Sequence, residues 1–515
     1  MNFPVRFSLL VLAAVVLTGS LWAQGNFVYT NDNQDPNTVS AFSVASNGVL
    51  TPVPGSPFST GGSGSQAGLF ASNRIGTAIA GSFLFVPNSA SNDVSVFKID
   101  PTTGVLTPVA GSPFATGNHP LFPGNTNGIA VAATPDGRFL MAASNGSANV
   151  AVFSISSTGA LSPIAGSPFP TVGNTNAIKI SPDGKFLAVS KSNSFIVTPS
   201  KLEMFSIASD GSLTSLGGLE TGSPAGLDID CSSRFLYAGE PNLPGTIVDV
   251  YSIASNGTLT AVPGSPFTLA VGRNSNVVLL GPDDKTMFVS NQISNTVTAF
   301  SVASDGSLSL LPGSPFSMTG FAASPAGMAT SQDGTLLYVA DANPSVSVFQ
   351  VGSNGALTEA PGSPFPTGRS GGLRSLTAFP PKTCAPPVLT VGIQIKDDDD
   401  RPPVRINPRS HGKIPVAILS TLDFNAVTDV DTHSLSFGRT GNEASLAFCD
   451  AAGEDVNDDG LADLVCHFNT QQTGLVAGDA NAVLKGKTVT GTAIQGTEAI
   501  RTVGHRHGDS EDRGH

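Results

Sequence analysis

The chain has 515 residues, a net charge of −13 and only 12% charged side chains, against a usual ~25%. Its surface must therefore be built largely from Ser, Thr, Asn and Gly, which excludes nucleic acid as a partner, because phosphates require clustered Lys and Arg. Four cysteines in a chain of this length exclude a small disulfide-stapled scaffold.

Residues 1–23 read as a secretory signal peptide. Arg6 supplies a thin positive region, Phe7–Leu17 a mostly apolar run and Ala23 a cleavage residue. The apolar run is short for a membrane span, and no other segment is a candidate for one. The expected location is secreted, periplasmic or extracellular.

From residue 24 to 380 the chain repeats itself. Gly-Ser-Pro-Phe recurs at Gly55–Phe58, Gly111–Phe114, Gly166–Phe169, Gly264–Phe267, Gly313–Phe316 and Gly362–Phe365, with a worn copy at Gly217–Glu220. The period of roughly 50 residues is that of propellers and solenoids. Upstream of each copy lies an alternating apolar segment, a turn such as Asn47-Gly48, and a returning apolar residue: Phe42–Leu50, Phe97–Leu106, Phe153–Leu161, Phe205–Leu213, Tyr251–Leu259, Phe300–Leu308 and Phe349–Leu357. This is a strand, a tight turn and a strand. The returning strand is expected to end at Gly-Ser-Pro-Phe, since proline has no amide to donate and belongs at an outer edge. Still further upstream come turns such as Pro135-Asp136-Gly137 and Pro182-Asp183-Gly184, each between two short apolar strands. Each unit therefore holds four antiparallel strands, the content of one propeller blade. The first unit lacks its innermost strand, and Leu373–Phe379 at the far end is the expected donor that closes the ring. The fold expected is all-β: a seven-bladed β-propeller followed by a small β-sandwich-like domain.

Residues 381–387 form a Pro-rich linker. Residues 388–503 alternate at Leu389–Ile395 and carry an apolar run at Ile414–Leu419, as strands do. Residues 504–515 form a polar tail, expected to be disordered, in which His505, His507 and His515 hold no fixed geometry. Cys231 reads as a small buried hydrophobe. Cys449 and Cys466 flank one loop and are candidates to pair, although connectivity is not readable from sequence.

The sharpest motif is Asp455-Val-Asn457-Asp-Asp459-Gly460-Leu-Ala-Asp463. Side-chain oxygens at positions 1, 3, 5 and 9, with glycine at 6, are the pattern of a calcium loop. The expected ligands are Asp455, Asn457, Asp459, the Leu461 carbonyl and Asp463, with Ca2+ in a structural role. Position 12 is Cys466, and Leu464–Phe468 alternates like a strand, so the loop is not an EF-hand. Asp397–Asp400 is read as a solvated loop, because consecutive residues of an extended chain point to opposite faces.

Ligands of a propeller meet the chain where the blade-to-blade loops lead into the inner strands. Those loops carry Arg74, His119, Asn125, Asn127, Asn174, Asn176, Arg273, Asn276, Arg369 and Arg374. The set is polar and slightly basic, and it suits an anionic or hydroxylated ligand. Asn residues at strand ends also serve as plain turn caps.

The Pro-Asp-Gly-Arg-Phe-Leu turn, the Phe-Ser-Val strand and the Asn-Gly-x-Leu hairpin together resemble the seven-bladed lactonase-like propellers, also called YVTN-type repeat proteins. Phe27–Asn31 and Leu337–Ala340 approach that signature. The resemblance spans about residues 26–380 and implies the fold. Its enzymes include 6-phosphogluconolactonases and muconate-lactonising members, which carry a Pro-His-x-His pattern before one inner strand and Arg-His before another. Here Asn125-Thr-Asn127 stands at the first, with His119 upstream, and Asn174-Thr-Asn176 or Ser324-Pro-Ala326 at the second. A lactonase needs a general base and an oxyanion partner; His119 is the candidate for the first role and Arg273 for the second. Residues 391–503 resemble a C-terminal module of secreted bacterial proteins through Val391–Lys396, Ile406–Ser410, Gly412–Leu419, Phe437–Gly441 and the calcium loop.

With the family's His, Arg and Glu set incomplete, the leading expectation is a secreted, monomeric binding or scaffold propeller. It would take a polar small molecule, a glycan or a protein, and carry a calcium-stabilised C-terminal module. A lactonase acting at the channel mouth is the alternative, and an envelope structural protein the second alternative.

Overall fold

The structure is a computed structural model. It describes residues 25–502 except 66–75, 118–128, 145–146, 174, 192–199, 223, 242–243, 274, 320–324, 370–371, 374, 383, 385–388, 397–402, 422–423, 451 and 490–491; for 200, 244, 270, 271, 273, 275 and 276 it describes the backbone alone. The expected signal peptide, the acidic run Asp397–Asp400 and the polar tail lie outside the described residues. The chain divides into two compact units, Met1–Thr383 and Cys384–His515.

The first unit contains seven antiparallel sheets. Their innermost strands are Ala78–Ala80, Ile129–Ala133, Thr175–Ile180, Gly226–Ile229, Ser275–Leu280, Pro325–Thr330 and Ser375–Phe379. Each packs on the next, and the last packs on the first, so the sheets form a closed seven-bladed propeller. Closure comes as expected from the far end of the repeat: Ser375–Phe379 pairs antiparallel with Phe27–Asn31, from Phe27↔Phe379 to Asn31↔Ser375. We number the blades from this shared one, so that blade 2 begins at Ala78 and blade 7 at Pro325. Both faces of each blade are covered by neighbours, which is why the middle strands are buried almost throughout. Phe85 and Val96 of blade 2, for example, share one core with Leu140 and Phe153 of blade 3.

The outer strand departs from expectation. It does not end at Gly-Ser-Pro-Phe but is interrupted by it. In blade 1, Leu50–Pro52 pairs with one half of Thr38–Val44, and Phe58–Ser59 pairs with the other half. The residues between would leave one amide of the third strand without a partner. The serine hydroxyl takes it: Ser56 Oγ accepts from the Ala41 amide at 2.9 Å. Ser112, Ser167, Ser265, Ser314 and Ser363 do the same for Val96, Val152, Val250, Ala299 and Val348. The motif's glycine lies in the left-handed region in all six copies, at φ 81–89°, which favours glycine, and each Ser–Pro bond is cis. Blade 4, with the worn copy, has instead a continuous outer strand, Leu213–Thr221, that absorbs the mismatch as a bulge at Met204/Phe205.

The second unit has two sheets. One contains Leu389–Thr390, Ala493–Thr502, Asn481–Thr488 and Val430–Gly438, with Val404–Ile406 also on Ala493–Thr502; the other contains Ile393–Ile395, Lys413–Ile418, Leu464–Asn469 and Leu446–Cys449. They bury one common core, in which the Phe437 and Phe468 rings lie 5.0 Å apart. Cys449 and Cys466 are joined. Cys231 is also disulfide-bonded, which corrects its reading as a plain buried thiol; it sits half-buried in a turn between strands, outside the blade cores.

Removing a clamp hydroxyl strands a buried amide, so Ser112→Ala and Ser314→Ala should each cost about 1–2 kcal/mol. The two sit in separate blades, so the losses should add. Denaturant melts of the single and double variants measure this; unchanged midpoints would show that water substitutes for the hydroxyl.

Candidate functional site at the channel mouth

Loops leading into the inner strands share one face of the propeller with the turns between second and third strands. On that face every second strand ends in, or is directly followed by, a polar residue: Asp32, Asn88, Ser144, Lys191, Glu240, Asn291 and Asp341. Most are buried and bind the first turns of the third strand. Asn88 donates to Asp93 and Ser95 at 2.6 and 2.7 Å, and Asn291 to Thr296 and Thr298 at 3.2 and 2.7 Å. Asp341 accepts from Ser345 and Ser347, both at 2.9 Å, and Asp32 from Thr30, Thr38 and Ser40. Neighbouring blades join this belt: Asn37 donates to Asn88 at 2.8 Å and Thr246 to Asn291 at 2.9 Å. The preceding loop passes so close that it needs glycine; a Cβ on Gly222 would strike the Glu240 carboxylate, and one on Gly272 would strike Thr246 and Asn291.

The belt holds carboxyls that burial makes hard to ionise. Burial pushes Asp341 up to about 7, against two hydroxyl hydrogen bonds that favour its charge. Burial raises Asp32 in the same way. Asp249 is also raised by burial, and it is hydrogen-bonded to Glu240 and Tyr251. Sequence reading missed this belt because the seven positions share a register but not a residue type.

Of the residues expected at the mouth, Asn176 is buried on the innermost strand of blade 4. Arg369 is half-buried; its amide donates to Thr367 Oγ1 at 3.3 Å, and its Nε makes no hydrogen bond among the described residues. Arg273 ends the strand Phe267–Arg273, opposite Pro244 and Gly245 in an irregular register. Asn276 lies just beyond, where Ser275–Leu280 also shifts register. The backbone thus brings Arg273 and Asn276 to the threshold of blade 6. Arg74, His119, Asn125, Asn127, Asn174 and Arg374 lie outside the described residues.

The other end of the channel carries a charged floor. Lys179 of blade 4 meets Asp228 of blade 5 at 2.7 Å, and Asp228 also accepts the Leu280 amide of blade 6 at 2.8 Å. Lys382, assigned to the linker on sequence, donates to the Leu280 carbonyl at 3.1 Å and lies 3.8 Å from Asp284. Three residues earlier the chain is still in blade 1, so residues 380–382 cross beneath the channel. Burial lowers the Lys382 ammonium and lifts Asp284 to about 6.

In the second unit, the expected calcium loop folds as a tight wrap. Asp455 accepts the Asp459 and Gly460 amides at 3.1 and 2.9 Å, and Asp459 accepts the Leu461 amide at 2.9 Å. Asp463 is fully buried and takes the Ser420 and Val456 amides at 2.7 and 3.0 Å. Among the described residues no three His, Cys, Asp or Glu side chains converge as a metal site. The donors are nonetheless all hard oxygens with spare lone pairs, the chemistry that fits calcium.

Asp341 gives a pH signature. Between its usual value near 3.8 and about 7 the folded state holds a proton that the unfolded state has lost, so stability falls as pH rises through that window and is flat above it. Asp341→Asn, the residue already used at positions 88 and 291, should remove this slope. Thermal melts from about pH 4 to about pH 8 should show the variant gaining on the parent up to about pH 7. Parallel curves would mean that the carboxyl ionises at its ordinary pH.

A family profile described as "Lactonase, 7-bladed beta-propeller" matches residues 21–198. Among solved structures, a candidate 6-phosphogluconolactonase from Bacteroides fragilis aligns at 18% identity and TM-score 0.53, covering 70% of this chain and 99% of that one. A counterpart from Bacteroides uniformis aligns at 17% and 0.53, covering 69% and 99%. A periplasmic gluconolactonase from Pseudomonas aeruginosa aligns at 19% and 0.53, covering 69% and 98%. At such identities the likeness establishes the propeller fold. No curated protein matches the sequence.

Proposed function

We propose that the propeller is a lactonase-type hydrolase that opens a cyclic ester at the channel mouth. The observation that carries this reading is the lactonase-family profile over residues 21–198, which falls on a ring closed into seven blades. The similar structures described as 6-phosphogluconolactonase and gluconolactonase support it over a binding or scaffold role. In this reaction water adds to the lactone carbonyl while a base takes its proton. The ring C–O bond then breaks, and the departing alkoxide is protonated to give a hydroxy acid. His119 is the base we assign and Arg273 the cation for the developing oxyanion.

The test is acid release from a sugar lactone by the purified full chain, followed by pH-stat above the spontaneous rate. His119→Ala and Arg273→Ala should each lower kcat/KM by about 100-fold or more. Saturable binding of the lactone without turnover would overturn the hydrolase and restore the binding role.

We further propose export through residues 1–23 and a structural Ca2+ held by Asp455, Asn457, Asp459, the Leu461 carbonyl and Asp463. Chelation, or Asp459→Ala, should lower the unfolding temperature of the second unit and leave the propeller transition in place. A second-unit transition indifferent to both would dismiss the metal.

A further inference from the structure

We propose that the outer face of the sheet built on Ala493–Thr502 in the second unit binds an acidic polysaccharide. Val404–Ile406 runs parallel to this strand and sets Arg405 directly beside Arg501. Val404, Ile406 and Ile500 point into the core, so the two guanidiniums project from the opposite face, where both residues are exposed. Like charges on paired residues cost stability, and neither arginine has a carboxylate within ion-pair distance among the described residues. On the same face Lys485 and Lys487 lie beside Gln495 and Ala493. Lys485 donates to the neutral Asn442 at 3.1 Å. The acid opposite Lys487 is Asp431, which is engaged with the His433 amide and ring. A chain of net charge −13 thus gathers four cations on one sheet face against the single carboxylate of Asp431, and the charge complement of such a face is a polyanion.

The spacing selects the kind. From Gln495 to Arg501 is six residues of strand, about 20 Å, occupied on this face by uncharged Gln495, Thr497 and Ala499. A nucleic-acid strand carries a charge every ~3.4 Å and would lay several phosphates over that neutral stretch. An acidic polysaccharide bears carboxylates on some sugars and hydroxyls on all. It therefore matches two cation pairs separated by an amide and a hydroxyl.

Binding of the full chain to hyaluronan oligomers, which carry a carboxylate on every second sugar, tests this by calorimetry, with dextran and single-stranded DNA as comparisons. Hyaluronan should bind at low salt, weaken as salt rises, and lose about tenfold in affinity with Arg405→Gln/Arg501→Gln and again with Lys485→Gln/Lys487→Gln. Dextran should not bind. Removing the arginine pair should at the same time raise the unfolding temperature of the second unit, because it relieves repulsion that only a ligand would otherwise offset. Absence of hyaluronan binding, binding indifferent to both double variants, or tighter binding of DNA would overturn the proposal.

Discussion

The propeller depends on a short ladder that joins its first strand to its last. Phe27–Asn31 and Ser375–Phe379 are separated by almost the whole repeat, and bringing such ends together costs about 5 kcal/mol by the logarithmic loop law. Five residue pairs of backbone bonding would offset little of this alone. The larger gain is aromatic. Phe27, Tyr29 and Phe379 are buried at the joint, each contributing roughly 1.5–3 kcal/mol. Phe27 and Phe379 stack with ring centroids 6.5 Å apart, and the Tyr29 hydroxyl reaches the Gly104 carbonyl of blade 2 at 2.9 Å. Closure thus draws on the next blade as well as on its own sheet, so ring formation and blade packing reinforce each other.

Once the ring is closed, two polar devices complete it. On the outside, a serine in six blades replaces the missing main-chain partner of the third strand. At the mouth, the belt from Asp32 to Asp341 binds the strand ends within blades and, through Asn37 and Thr246, between them. Both satisfy backbone or side-chain groups that would otherwise be buried without partners, at a cost of about 1–3 kcal/mol each. The belt also gathers carboxyls that burial makes hard to ionise at the ends of the second strands.

The periodic tetrapeptide made the blade count, the strand content and the closing segment readable, because turn residues and alternation are local properties. The serine's task was not readable, since its partner amide lies 15 residues away and depends on the outer strand being split. Lys382 looked like linker because prolines precede it; its burial depends on Leu280 and Asp284, which only the closed ring brings near. The loop Asp455–Asp463 shows its oxygen spacing in one glance at the sequence, but the inward turn of Asp463 follows from the Ser420 amide, 43 residues distant. The Asp249–Glu240 pair was hidden for another reason: seven different strand ends answer the same geometric demand with five residue types, so no motif marks them.

The split outer strand bears on how the molecule meets copies of itself. A blade's outermost strand shows unsatisfied amides and carbonyls to solvent, and a long straight row of them is a template for a foreign strand. In most blades that row is cut into a stretch of three residues and a stretch of two by a turn, as at Leu50–Pro52 and Phe58–Ser59. Neither stretch is long enough to hold an added strand in register. Blade 4 lost the interruption, and Leu213–Thr221 runs for nine residues along the rim with Leu216 41% exposed. The erosion of a single tetrapeptide has therefore left blade 4 with the longest uninterrupted outer strand among the described residues, the edge best suited to strand addition.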